Sequence, residues 1–197
     1  LKLPKPHGSG GLTLETCISR RRSVRGFSDQ ALAATQIGLL LWAAQGVTGA
    51  EGERAAPSAG ALYPLEVYLA VEHVVDLGPG VYRYLPARHE ILLLQADGRR
   101  EDLVGATGGQ GWIATASAII CIAAAFDRTT SKYGHRGRGY VYIEAGHAAQ
   151  SLMLEAVALG LATTMVGAFD DGAVTRILCL PDDETPLCLI PVGAPSS

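Results

Sequence analysis

The sequence has no basic excess, no paired cysteines and no apolar run long enough to cross a bilayer. Its 197 residues carry a formal net charge of -3, with a pI near 5.9. A nucleic-acid surface is built on clustered Lys and Arg in clear excess, so nucleic acid is not the expected partner. The four cysteines, Cys17, Cys121, Cys179 and Cys188, form neither a CxxC pair nor a Cys/His cluster. A structural zinc site needs four such ligands close together, so no metal is expected. Reduced, mostly buried thiols in a cytoplasmic protein are the expectation. The opening stretch LKLPKPHGSGG has no signal-peptide core. The longest apolar run, IATASAIICIAAAF at 113–126, falls short of the ~20 residues of a membrane span and reads as a buried strand. Internal repeats and low-complexity tracts are absent. So are a GxGxxG between strand and helix, a Walker A sequence and a GxSxG, which removes the usual dinucleotide, P-loop and serine-hydrolase sites.

What is there is an ordinary globular composition, 48% apolar and 18% charged, in a chain the length of one domain. Residues 1–197 are read as a single domain. After a Pro/Gly-rich start at 1–11, Thr13 opens a short helix. Residues 32–47, LAATQIGLLLWAAQGV, repeat apolar residues at helical spacing. Residues 48–64 are a long loop of small residues, of the kind that binds ligands or is merely mobile. Residues 65–74 alternate as a strand, GVYRYLP and HEILLLQ form a hairpin, and REDLVGATGGQGW is a short helix ending at glycines. A buried strand spans 116–126. Residues 127–140, DRTTSKYGHRGRGY, read as a polar, basic loop or the run-in to a helix.

Residues 142–161, YIEAGHAAQSLMLEAVALGL, are helical and apolar or small on nearly every face. Glu144, His147, Ser151 and Glu155 form one narrow polar stripe. Such a helix is expected to be buried almost all round, and a lone histidine on it reads as a satisfied buried or interface group. ATTMVGAF and TPLCLIPVG are strands, with DDGAVTRILCL a helix between them, capped by Asp170 or Asp171. The order argues for an α+β fold, with helices covering a mixed sheet.

Three stretches carry candidate chemistry. In SRRRSVRGF, four of the chain's 16 basic residues fall within six positions: Arg20, Arg21, Arg22 and Arg25. Guanidinium forks suit a phosphate; a solvated basic patch is the other reading. In an extended segment Arg21, Ser23 and Arg25 share a side. Around Ser58, small residues let a backbone approach a flat ligand, or simply launch the following strand. At Val166–Ala168 a strand ends ahead of a helix, where free backbone N–H groups can donate to a ligand edge.

Together with LLWAAQGVT (40–48), APSAGALYPLEVYL (56–69), GVYRY (80–84), KYGHRG (132–137), YIEAGHAAQSL (142–152), VGAFDD (166–171) and PLCLIPVG (186–193), these stretches resemble the nitroreductase superfamily of flavin enzymes, and within it the SagB-type dehydrogenases. The resemblance implies a nitroreductase-like fold with a mainly antiparallel sheet, and non-covalent FMN at the interface of an intertwined homodimer. It implies that Arg21, Arg22, Ser23 and Arg25 hold the FMN phosphate and ribityl chain. Pro57, Ser58 and Ala59 would line the ring from the partner subunit, and Gln110 would meet the pyrimidine edge. Val166, Gly167 and Ala168 would lie along the reactive face, with backbone N–H groups near N5 and O4. The long helix would form the core of the dimer.

By the same resemblance, NAD(P)H is the expected co-substrate and a small organic molecule the acceptor. Lys132 and Tyr133 resemble the catalytic pair of azoline dehydrogenases that act on peptide natural products; a polar loop is the other reading. A flavin-binding protein without turnover is a third possibility. Two departures from the family pattern stand out. PVGAPSS lacks the basic residue that many members place after the last strand, and Ser151 replaces the Asn of a common QNL.

Overall fold

The computed structural model describes residues 1–4, 6 and 11–196; of the extended N-terminal reading, residues 5 and 7–10 lie outside the described residues. In chain order the elements are α1 (Leu14–Arg20), β1 (Leu32–Ala33), α2 (Ala34–Gln45), β2 (Leu65–Val71), β3 (Val74–Val75), β4 (Gly80–Leu85), β5 (Glu90–Ala96), α3 (Arg100–Ala106), β6 (Ala118–Ala124), α4 (Asp127–Tyr133), α5 (Arg136–Ala158), β7 (Ala162–Thr163), α6 (Asp171–Ile177) and β8 (Thr185–Gly193). Short 3-10 turns fall at Ala59–Ala61, Pro86–Arg88 and Gly111–Thr115.

Alternation places the core on both faces of the sheet. The six strands run β5-β4-β2-β6-β8-β7, antiparallel at every neighbour; the parallel pairing is confined to the small β1–β3 pair. Leu65, Val67, Leu69 and Val71 of β2 and Ile120 and Ile122 of β6 join Ile37, Leu40 and Leu41 of α2 and Ala145, Ala148 and Leu152 of α5. Tyr68 and Ala70 of β2 and Ile119 and Cys121 of β6 face the other way, onto Leu103, Ile113, Val174 and Leu178. Every residue of β6 is buried, as expected of a central strand covered on both sides. Burying each isoleucine contributes roughly 1.5–3 kcal/mol.

Three sequence expectations change. Residues 127–140, open between a loop and the run-in to a helix, take the helical alternative: they form α4 and the first turn of α5, with the break at Gly134 (φ 56, ψ -148), a conformation open in practice only to glycine. The long helix therefore begins at Arg136 rather than 142, packing having overridden the weak helix propensity of RGRG. Within a single chain it also leaves one side uncovered. Tyr142 is 53% and Ile143 58% exposed, and Glu144, His147, Ser151 and Glu155 are not alike: Glu144 is 3% exposed and His147 lies at the surface. Finally, ATTMVGAF enters the sheet only at β7. Further on, Val166 alone pairs with Leu189, exchanging both backbone hydrogen bonds at 2.8 and 2.9 Å. No helix among the described residues is long and apolar enough to cross a membrane.

Candidate functional site

The arginine segment leaves α1 and is stitched to the sheet's end. Thr13 caps α1, its Oγ1 accepting from the Thr16 amide at 3.3 Å. After Arg20 the chain extends, and the Val24 amide donates to the Thr163 carbonyl at 3.1 Å. Phe27 is buried and bridges Pro195, and the Ser28 amide donates to the Ala194 carbonyl at 2.9 Å. The stretch after the last strand thus passes beside the arginine segment, and Ala194, Pro195 and Ser196 there carry no cation.

Of the four predicted anion ligands, Arg21 and Arg22 share a cavity and Arg25 turns to a different neighbour. Arg20, Arg21 and Arg22 line a cavity of about 280 Å³ with Met153, Gly160 and Thr163. Arg22 Nη1 is turned back onto the Ser19 and Arg21 carbonyls at 2.9 and 2.8 Å. Ser23 is exposed. Arg25 points instead at Trp112, its guanidinium carbon 5.9 Å from the ring centroid. Among the described residues, no carboxylate forms an ion pair with Arg21, Arg22 or Arg25. A dianionic phosphate fits such guanidinia, since it supplies the acceptors they lack.

Trp112 lies in the turn that follows Gln110, and this turn joins two predicted parts of the site. Gln110 Nε2 donates to the Thr107 carbonyl at 3.2 Å and to the Ala168 carbonyl at 3.4 Å. Trp112 also meets Phe27, with centroids 6.4 Å apart. A cavity of about 450 Å³ opens here, between Gly105–Gly108 and Ala168–Asp170. Asp170 is the cap of α6, its Oδ1 accepting from the Ala173 amide at 2.7 Å. Val166 cannot offer its N–H to a ligand, because β8 takes it; Gly167 and Ala168 are exposed. The donor edge is therefore two amides long rather than three.

The Ser58 loop faces a different cavity. Pro57, Ser58 and Ala59 line about 290 Å³ with Tyr140, Ile143, Glu144 and His147. None of these residues lines the arginine cavity. The loop is held against its own backbone preference: Gly60 (φ 65), Ala61 (φ 54) and Tyr63 (φ 47) are all left-handed, at a cost of about 1–3 kcal/mol for each non-glycine. Its clamps are visible. Ser58 Oγ accepts from the Tyr63 amide at 2.9 Å, and Arg128 Nη1 donates to the Tyr63 carbonyl at 3.0 Å. Arg54 lies 4.6 Å over the Tyr63 ring and donates to Gln45 Oε1 at 2.8 Å. Burial lowers the Arg54 pKa, opposed chiefly by Glu66. Burial also pushes the Glu144 carboxyl above the usual carboxylate range, opposed by the Ser58 hydroxyl, the Arg54 charge and the Ala59 amide.

Lys132 and Tyr133 sit in the last turn of α4 and converge on this loop. A Cβ placed on Gly60 would stand 2.7 Å from Tyr133 Oη and 2.9 Å from Lys132 Nζ. A side chain at position 60 would displace one or both of these ends, and the left-handed φ of 65 favours glycine there as well. Trp112, Arg54, Glu144 and Tyr140 were not anticipated from the sequence as site residues. Tyr140 had one available signal, its position seven residues before His147, two turns along one helix face. A further cavity of about 380 Å³, lined by Cys17, Trp42, Ser151 and Glu155 among others, contains none of the predicted site residues.

A six-stranded antiparallel sheet covered by helices on both faces is a nitroreductase-like α+β fold, and the chain belongs to the nitroreductase family, whose profile matches residues 18–194. Among its relatives, MJ1384 of Methanocaldococcus jannaschii is 43% identical over 182 residues, 92% of this chain and 91% of that one. A crystal structure from Ralstonia eutropha superposes with a TM-score of 0.87 at 28% identity, over 100% of this chain and 89% of the other. A chain of the Escherichia coli microcin synthetase McbBCD complex, solved with truncated pro-MccB17 bound, gives 0.80 at 25% identity, over 100% of this chain and 78% of that one.

Proposed function

We propose that the protein is an FMN-dependent oxidoreductase of the SagB-type branch, passing electrons between NAD(P)H or an organic donor and an organic acceptor such as a nitro compound or a quinone. The observation that carries this reading is the turn at 110–112, which touches Arg25 through Trp112 and Ala168 through Gln110. It ties a phosphate-suited segment to the Gly167–Ala168 amide edge. Bound flavin supplies the hydride chemistry. The chain's part is to hold it: Arg21, Arg22, Ser23 and Arg25 at the phosphate and ribityl chain, Gln110 at the pyrimidine edge, and Val166, Gly167 and Ala168 along the ring.

The complementary part, Pro57–Ala59, comes from a second copy in this reading. Two observations support a homodimer. The Ser58 loop and the arginines of one chain line separate cavities. α1 and α5 also expose Leu14 (61%), Ile18 (56%), Tyr142 and Ile143, an apolar surface of the kind that marks an interface.

The test is direct. Purified protein should be yellow and release FMN on denaturation, and anaerobic NADH or NADPH should bleach it. A colourless protein that cannot be reconstituted sinks the reading. A yellow protein that no nicotinamide or organic donor reduces would instead be a flavin-binding protein without turnover.

A second reading, an azoline-to-azole dehydrogenase on a peptide, is favoured by the convergence of Lys132 and Tyr133 on Gly60 beside the flavin-lining loop, and by the likeness to the microcin synthetase chain. Removing a carbon-bound proton needs a base in reach, which this pair would provide. Lys132→Ala and Tyr133→Phe should then abolish azoline oxidation while leaving bleaching by NAD(P)H intact; unaffected azoline oxidation would exclude it.

A further inference from the structure

A run of alternating charges crosses one face of the sheet and ends on the Ser58 loop. Glu66 and Tyr68 lie two apart on β2 and so share a face, and Tyr68 pairs across to Arg83 of β4. Tyr68 Oη donates to Glu184 Oε2 at 2.7 Å, and Arg83 Nη2 donates to Glu184 Oε1 at 3.2 Å. The same Arg83 nitrogen meets Glu66 Oε2 at 3.0 Å. The other Glu66 oxygen, Oε1, lies 2.7 Å from Arg128 Nη1, and that nitrogen also donates to the Tyr63 carbonyl at 3.0 Å. Both Glu66 oxygens are thereby committed, on a side chain only 12% exposed. Strand register fixes one end of the run, and the left-handed loop is the other end.

Two guanidinia converge on Tyr63. Arg54 lies 4.6 Å over its ring, and Arg128 holds its carbonyl. Like charges so placed repel. Burial lowers the Arg54 pKa, the Arg128 charge lowers it further, and Glu66 is the chief charge opposing both. Glu66 is thus the counter-charge common to the two clamps. Arg128 also stands one turn before Lys132 on α4, and Lys132 and Tyr133 end beside Gly60. The helix that brings this pair to the loop is therefore bonded to the same loop at Tyr63. Through Glu66 and Arg83 that bond runs back to the sheet, and a site supported by rigid elements is held more closely than one resting on loop contacts alone.

We propose that Glu66 and Arg128 are positioning residues of the candidate site: Glu66, anchored by Arg83, holds Arg128, and Arg128 fixes the Lys132–Tyr133 turn of α4 against the Ser58 loop. The assignment rests on the reading of Pro57–Ala59 as flavin-lining. Both residues act through the loop, keeping it in its left-handed form before a ligand arrives, so that binding does not have to order it.

The test uses the full chain with Glu66→Gln, Arg128→Gln, their combination and Arg128→Lys. FMN affinity is read by fluorescence titration of the flavin-free protein, and backbone amide exchange by mass spectrometry on the same samples. Glu66→Gln and Arg128→Gln should each weaken FMN binding about threefold to tenfold, between the effect of an exposed ion pair and that of a charged hydrogen bond. The combination should be no weaker than Glu66→Gln alone, as expected of two residues in one network. Arg128→Lys should regain a large part of the loss, since an ammonium keeps the charge and a donor for the Tyr63 carbonyl. Exchange should quicken at 59–63 and 131–134 and stay unchanged in β6. An increase spread through β2 and β6 without recovery in Arg128→Lys is the mark of a purely structural role and overturns the proposal, as does unchanged FMN affinity in both Gln variants. If Glu66→Gln does not fold, Arg128→Gln decides by itself, because that side chain is 40% exposed. Should the wild-type chain take up no FMN, the proposed function falls. Exchange then decides the positioning alone: quickening confined to the loop and the last turn of α4 upholds it, and unchanged exchange rejects it.

Discussion

The guanidinium of Arg25 lies 5.9 Å from the centroid of the Trp112 ring, and Trp112 in turn meets Phe27 at 6.4 Å. Arg25 is thereby set apart from Arg21 and Arg22, which face another cavity. A cation over an indole contributes about 0.5–2 kcal/mol, enough to hold an otherwise solvated arginine in place. Trp112→Ala should lower FMN retention severalfold, Arg25→Ala more strongly, and Arg21→Ala likewise. Flavin content after gel filtration measures this; unchanged content in both arginine variants would rule out the phosphate assignment.

Glu144 ties stability to pH. Burial raises its folded pKa above the unfolded value. The folded state therefore keeps a proton that the unfolded chain has lost. The group's favourable contribution is full below the unfolded pKa, about 4.3, and is lost as pH rises through the raised folded value. Glu144→Gln should accordingly raise the melting temperature at neutral pH relative to wild type, with the gain shrinking toward pH 4. A gain that grows on acidification would contradict this sign.

Ala61 holds a left-handed φ of 54 that glycine adopts without strain. Ala61→Gly should therefore be neutral or stabilising, by up to about 1 kcal/mol or roughly 2–4 °C in a chain of this size. A clear loss of stability, read by calorimetry, would mean that the Ala61 methyl is needed for packing.

The thiols should react very unequally. Cys179 is exposed, while Cys17, Cys121 and Cys188 are buried. Burial raises the Cys121 pKa and pushes Cys188 up to about 12, which leaves both as unreactive thiols at neutral pH. Titration with a disulfide reagent should label Cys179 first, and Cys179→Ser should remove the fast phase.

The elements that were legible in the sequence are those whose pattern is local. The 32–47 helix, the 65–74 strand, the hairpin and the buried run at 116–126 all formed close to their expected bounds, because alternation and helical spacing report burial directly. RGRG stayed open between loop and helix entry because glycine lowers helix propensity and says nothing of the neighbours that stabilise the turn. The strand expected at 162–169 fragmented because pairing with β8 is a matter of register, which one strand's composition cannot carry. His147 was expected to be a satisfied buried or interface group. In the single chain it lies at the surface, beside the cavity it shares with Pro57–Ala59, where only a partner subunit could cover it.

By itself the sequence determined the α+β layering, the arginine segment, the small-residue loop and the family, since each rests on residue type and short spacing. Tertiary structure alone decided that Arg25 parts from Arg21 to join Trp112, that β8 takes the Val166 amide, and that Lys132 and Tyr133 meet over Gly60. Those outcomes depend on which distant segments come within contact range and compete for the same donors, and no local pattern encodes that.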